Sequence, residues 1–391
     1  MQQEIYLFNP ENDMALANFT PYYRAPSEII RMASDLSVLP AWYAPERSVI
    51  KVDSFLRVSL WKEQCEIPHF NPSLKWSVEW QNMPYSPWGW NPSLLHTLKK
   101  AGVNDTFLLS DAQMKQIRLL SGRQCSVKIL DEFPHTGYLC GKAVVCSSML
   151  QVKQYVTSLG KCVIKAPWSG SGRGVMFVSF TEWNKSIEGW IARILRVQGE
   201  IVVEPLYNKV RDFAMEFYAD GRGNVTFWGY SLFDTDVHGN YKANFLLSDG
   251  QIRKILSQYI SDDIFDEVCL VMEKKLAVLL GKDYCGFLGV DMMICWEDGK
   301  YLLHPCVEIN LRMNMGIVSH IIFTRYVHYR SHGLYVIKYY PTDGEAWDSY
   351  CRMRDIHKLH LCDNKLLEGY VPLTPVQRDT RYHAFLLLEG A

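Results

Sequence analysis

The segment Cys285-Gly-Phe-Leu-Gly-Val-Asp-Met-Met-Ile-Cys-Trp-Glu-Asp-Gly-Lys-Tyr-Leu-Leu-His-Pro-Cys-Val-Glu-Ile-Asn-Leu-Arg312 limits the fold more than any other part of the chain. Asp298-Gly299 is a two-residue hairpin turn, because both central positions of such a turn need positive φ. It pairs Glu297 with Lys300, and the same register carried back sets Asp291 opposite Cys306 and diagonal to Glu308. Successive strand residues point to opposite faces. One face then carries Leu288, Val290, Met292, Ile294, Trp296, Tyr301, Leu303, Pro305, Val307 and Ile309. It is wholly apolar and is expected in a core. The other carries Gly289, Asp291, Cys306, Glu308 and Asn310.

Two carboxylates and an amide on one face, a few residues apart, can converge on one Mg²⁺, which takes oxygen ligands at about 2.1 Å and keeps substrate phosphates as further ligands. A solvated polar face is the alternative. Gly289, Met293, Cys295 and Cys306 on the same side are not the residues of a charged solvent surface. Pro305 cannot donate to a strand ladder and marks a candidate bulge, which would change the register.

A second segment, Lys161-Cys-Val-Ile-Lys-Ala-Pro-Trp-Ser-Gly-Ser-Gly-Arg-Gly-Val175, reads as strand, Gly-rich loop, strand. Glycines let backbone N–H groups close around phosphate oxygens, and serines and an arginine add donors. Lys165 would bring a point charge to the same phosphates, and its removal is expected to cost nucleotide affinity and little stability. The loop is neither GxxxxGK[ST] nor GxGxxG, and a plain hairpin loop fits it equally well.

Further strands are expected at Glu4–Phe8, Ser48–Val52, Gly199–Glu204, Arg211–Tyr218 and Asn224–Phe233, and helices at Pro26–Ser34, Pro92–Gly102, Asp111–Leu120 and Val268–Leu280. Strand–helix alternation gives an α/β N-terminal domain ending near residue 105. The tryptophans at 76, 80, 88 and 90 are read as core and loop packing before a ligand groove. Asn9-Pro-Glu-Asn-Asp13 follows the first strand, where open α/β sheets place ligands. Glu11 or Asp13 facing an acceptor substrate and a plain Asx-type turn are weighed evenly there.

With 41 Lys+Arg against 42 Asp+Glu, there is no basic excess of the kind nucleic-acid binding needs. The 11 cysteines are scattered and form no CxxC pair, which suits buried thiols in a reducing compartment. No run of about 18 apolar residues exists to span a membrane, and the N-terminus reads as no signal peptide, so the expected location is the cytoplasm.

Taken in order, Lys165 with its Gly-rich loop, Glu204-Pro-Leu-Tyr207, Asp212-Phe213, Gly289-Val-Asp291 and Glu308-Ile-Asn-Leu-Arg312 resemble the ATP-grasp superfamily, which includes D-alanine–D-alanine ligase, biotin carboxylase and glutathione synthetase. The resemblance covers roughly residues 105–316. It implies an α/β and α+β chain: an open α/β pre-ATP-grasp domain at 1–105, a small lobe with the phosphate loop at 106–205, a large lobe with the metal site at 206–330, and a C-terminal extension at 331–391 packed on the large lobe.

The resemblance also implies roles. Lys165, Ser169, Gly170, Ser171, Gly172, Arg173 and Gly174 would hold ATP phosphates. Glu204, Pro205 and Tyr207 would form the hinge that meets adenine, and Asp212 would bind ribose. Asp291, Glu308 and Asn310 would ligate Mg²⁺, with Mn²⁺ as a substitute. Arg312 and Lys242 would contact the transferred phosphoryl group or a substrate carboxylate. The family lysine expected just after Asp111 is missing, since Ala112 stands there and Lys115 is the nearest lysine.

The implied reaction is ATP-dependent ligation of a small carboxylate, through an acyl phosphate, to an amine or other nucleophile. A phosphotransferase of the same fold and a nucleotide-binding protein without turnover are the alternatives; a carbohydrate-binding module rests only on aromatic content. The partners implied are small molecules, not nucleic acid or membrane.

Overall fold

The computed structural model describes residues 3–65, 67, 73–134, 137–169, 174–235 and 241–390. The chain divides into two compact units, one of residues 1–114, 242–251 and 313–391, the other of residues 115–241 and 252–312.

The first unit opens with a four-stranded parallel sheet in the order Lys75–Ser77, Val49–Lys51, Ile5–Leu7, Tyr85–Pro87. Ile5 pairs with both Val49 and Tyr85, so the first strand is central and its Ile5 and Leu7 are buried. Helix Pro92–Lys100 starts where the sequence asks: the Asn91 side chain accepts from Leu94 N at 2.9 Å, Pro92 takes the first helical position, and Gly102 follows at φ +83°. Asn12 and Asp13 begin a helix, Asn12–Asn18, after a four-residue connection, residues 8–11, from the first strand. Asn9 is buried and its amide donates to Gly89 O at 2.8 Å, a structural clasp between two neighbouring strand ends.

The same unit holds the antiparallel strands Tyr241–Leu246, Ser331–Tyr339, Tyr382–Gly390, Lys365–Pro372 and His360–Cys362, paired in that order. Helix Glu345–Ile356 covers part of them through a cluster that includes Ala346, Tyr350, Tyr370 and Phe385.

The second unit contains two antiparallel sheets. One runs Val144–Cys146, Ile201–Pro205, Lys161–Lys165, Val175–Ser179. Its inner face (Cys146, Cys162, Ile164, Ile201, Val203) packs against helices Met149–Leu159 and Lys185–Gln198. The other runs Lys300–Asn310, Cys285–Glu297, Lys209–Asp220, Val225–Thr235. Phe213, Met215, Phe217, Leu288, Val290, Met292 and Ile294 are buried on one of its faces, and helix Asp262–Leu280 contributes Phe265, Val268, Met272 and Leu276 to the same core. Trp296 departs from the expected core face. It lies at the hairpin tip, 41% exposed, with its ring 4.6 Å from that of Tyr301.

All eleven cysteines are free thiols. Among the described residues, no helix is long and apolar enough to cross a membrane.

Candidate nucleotide and metal site

The hairpin register differs from the turn-derived one. Glu297 faces Lys300, and the predicted pairing holds back to Met293 opposite His304. An irregularity between Asp291 and Met293 then takes up two extra residues of the second strand, around Pro305, so Asp291 faces Glu308 directly and Gly289 faces Asn310. Cys306, the expected partner of Asp291, is buried instead. The shift is even, so every side chain keeps its face, and the two carboxylates come closer than the unbulged ladder would set them.

On the adjoining strand Asp291 faces Ala214 and Gly289 faces Glu216. Glu216 therefore joins the same face. It is 1% exposed and accepts from Ser231 Oγ at 2.8 Å. Asn310 Nδ2 donates to Asp291 Oδ2 at 3.0 Å, and Arg312 Nη2 donates to Asn310 Oδ1 at 3.0 Å. Burial, with the charges of Glu308 and Glu216 beside it, pushes the Asp291 carboxyl up to about 8, while the Asn310 bond and Arg312 pull it down. A face that sets buried Glu216 beside half-buried Asp291, Glu308 and Asn310, with carboxylate and amide oxygens close together, fits a hard divalent cation such as Mg²⁺.

Arg123 was not read from the sequence as a site residue. It is the first residue of helix Arg123–Leu130 and is 5% exposed. Its Nη2 donates to both carboxylate oxygens of Glu308 at 2.9 Å, and its Nη1 donates to Ala166 O at 2.5 Å and Ser169 Oγ at 2.6 Å. One guanidinium thus joins the acidic face to the start of the Gly-rich loop. The Gly122-Arg123 helix start, followed by mostly apolar or small residues, was the available signal. For Glu216 it was a lone acid in the apolar run Phe213–Phe217.

Lys165 ends its strand 7% exposed, and its Nζ lies 2.6 Å from Glu204 Oε2. Val163 pairs with Glu204 and Lys165 with Val202, so the two side chains are diagonal neighbours on one face. The expectation that Lys165 is removable at little cost to the fold is thereby corrected: its loss would leave Glu204 buried and unpaired. Ala166 N bonds Gly174 O at 2.8 Å, closing the loop's base. Gly174 has φ +78°, and a Cβ there would sit 2.7 Å from that of Ser169, so only glycine fits. Gly170, Ser171, Gly172 and Arg173 lie outside the described residues.

His304 is fully buried on the same sheet face, with its ring 5.6 Å from that of Tyr207. Neither ring nitrogen has a hydrogen-bond partner, and burial with the Lys165 charge pulls it down to about 3. Burial pushes the Tyr207 hydroxyl well up. Pro205 ends its strand beside Cys162. Asp212 accepts from Lys209 Nζ at 2.5 Å and from Thr235 Oγ1 at 2.8 Å. Lys242 is exposed on the strand Tyr241–Leu246 of the first unit.

This architecture is the ATP-grasp fold. The chain is similar to the biotin carboxylase of Campylobacter jejuni, solved as a β,γ-ATP complex, at 10% identity and TM-score 0.53, with 99% of this chain and 87% of that one covered. It is equally similar to the biotin carboxylase domain of the Hydrogenobacter thermophilus 2-oxoglutarate carboxylase, solved with MgADP, ADP and bicarbonate, at 11% identity and TM-score 0.53, covering 100% and 87%. At such identities the likeness is one of fold. No protein-family model and no curated protein matches the sequence.

Proposed function

We propose that the chain is an ATP- and Mg²⁺-dependent ligase that activates a small-molecule carboxylate as an acyl phosphate for attack by an amine or another nucleophile. The observation that carries this reading is the direct pairing of Asp291 with Glu308, flanked by Asn310 and held to the Gly-rich loop by Arg123. Binding adenine alone needs no such acidic face.

In this reading Asp291, Glu308 and Asn310 hold Mg²⁺, which when bound neutralises phosphate charge. Lys165, the Ser169–Gly174 loop and Arg123 hold the phosphates. Transfer of a phosphoryl group needs positioning and charge neutralisation more than covalent help from the protein. Arg123 carries a fixed planar charge that cannot be lost near neutral pH. It is poised to exchange part of its Glu308 contact for phosphate oxygens. Glu204, Pro205 and Tyr207 line the adenine edge, Asp212 holds ribose, and Arg312 meets the transferred group or the substrate carboxylate.

The test is ATP consumption with pooled carboxylates and amines, followed by mass analysis of products. A carboxamide product supports ligation, whereas a stable phosphorylated alcohol would replace it with the phosphotransferase reading.

A further inference from the structure

The first unit carries a group of potential ligands that the nucleotide chemistry does not use. His328, Cys362 and Asp363 each offer one ligand atom, and these atoms all lie within 4.8 Å of one another. His328 Nε2 is 3.7 Å from Asp363 Oδ2, and Cys362 Sγ is 3.8 Å from the same oxygen. Tetrahedral coordination by zinc, with bonds of about 2.0–2.3 Å, sets ligand atoms about 3.3–3.8 Å apart. Two edges of the group already match.

The backbone holds the three in place. Cys362 and Lys365 pair across a two-residue turn in which Asp363 (φ 51°) and Asn364 (φ 60°) are both left-handed, which folds Asp363 back beside Cys362. The chain leaving helix Met315–Tyr326 is fastened to this hairpin: Val327 bridges Leu366, and His328 N donates to Leu366 O at 2.8 Å. His328 is 3% exposed, and its Nε2 is buried without a hydrogen-bond partner. An imidazole nitrogen in that position is costly unless something meets it.

We propose that His328, Cys362 and Asp363 form a binding site for a zinc-class transition-metal ion, with solvent as the fourth ligand. Imidazole and thiolate exclude Mg²⁺ and Ca²⁺ as the preferred ions. Arg330 Nη2 lies 3.9 Å from Cys362 Sγ, a donor beside the sulfur. His328 Nδ1 accepts a long 3.3 Å bond from Arg330 N. Ligation through Nε2 moves the ring proton to Nδ1 and releases that bond, and the thiol proton goes to solvent.

The experiment is Co²⁺ and Zn²⁺ titration of the whole protein in excess Mg²⁺ with a non-thiol reductant. Wild-type protein should take up one ion and show a thiolate-to-cobalt charge-transfer band in the near ultraviolet. Carboxylate sites elsewhere in the chain cannot produce that band. Cys362→Ser should abolish it and weaken zinc binding by more than the roughly 10–100-fold that losing an outer-shell partner costs. Cys285→Ser, at an exposed cysteine outside the group, should leave both unchanged. Asp363→Asn should keep the band and lower affinity. Absence of the band in wild type, its persistence in Cys362→Ser, or equal zinc affinity in those two proteins would overturn the proposal.

Discussion

Asp291→Asn should make the metal-free protein more stable, and increasingly so as pH rises. The Asp291 carboxyl is pushed from 3.8 to about 8 by burial and by Glu308 and Glu216. A native state that holds a proton the unfolded chain has already released loses stability with rising pH. The loss begins near pH 4, where the unfolded carboxyl ionises, and is complete above pH 8, at about 1.4 kcal/mol per pH unit between. From pH 5 to pH 8 that amounts to roughly 3–4 kcal/mol. An asparagine cannot ionise, and its Oδ1 still accepts from Asn310, so the variant escapes the loss. Urea unfolding of both proteins at unit pH steps from 5 to 8, with chelator present, measures the gap. It should widen in favour of the variant by roughly 3–4 kcal/mol. Adding Mg²⁺ and ATP should reverse the order, since only wild type gains by linkage. A gap that stays flat within about 0.5 kcal/mol across this range would refute the argument that the acidic face is charge-frustrated without metal.

Lys165→Met should destabilise the fold by about 3–5 kcal/mol through unpaired Glu204, and Lys165→Met with Glu204→Gln should restore most of it in thermal unfolding, while both proteins lose ATP affinity. Arg123→Lys keeps the charge but not the forked contact to Glu308, and should cost about 1.5–3 kcal/mol in chemical denaturation together with weaker ATP binding by calorimetry. His304 is held neutral, down to about 3, and stability is lost as pH falls from its ordinary 6.5 toward that value because the unfolded ring takes up a proton first. His304→Leu should therefore shift the acid-unfolding midpoint, followed by circular dichroism, to lower pH.

The sequence carried the strongly local features. Asp298-Gly299 set the hairpin as far as Met293, Asn91-Pro92 started its helix, and the helix Asp111–Leu120 is observed with those limits. Pro305 marked the bulge, but its size was not legible, because turn chemistry fixes pairing only until extra residues enter the ladder; the parity survived because two residues entered. Arg123 was missed for a different reason. Its role depends on Glu308 and Ser169, which lie 185 and 46 residues away along the chain, and no local pattern encodes such contacts. Lys165 was read as a free phosphate charge because its partner Glu204 sits on another strand and was read as a strand-end or hinge residue. The same long-range dependence hid Glu216, whose apolar strand gave it no partner in sequence.

The central claim, that the Asp291–Glu308 face binds a metal together with ATP, is tested most directly by isothermal titration of wild-type protein with a non-hydrolysable ATP analogue, with and without Mg²⁺. One site should appear that requires Mg²⁺, and Asp291→Asn should lose the Mg²⁺ requirement along with most of the affinity. No heat of binding at millimolar analogue, or binding of equal strength in chelator, would contradict the account.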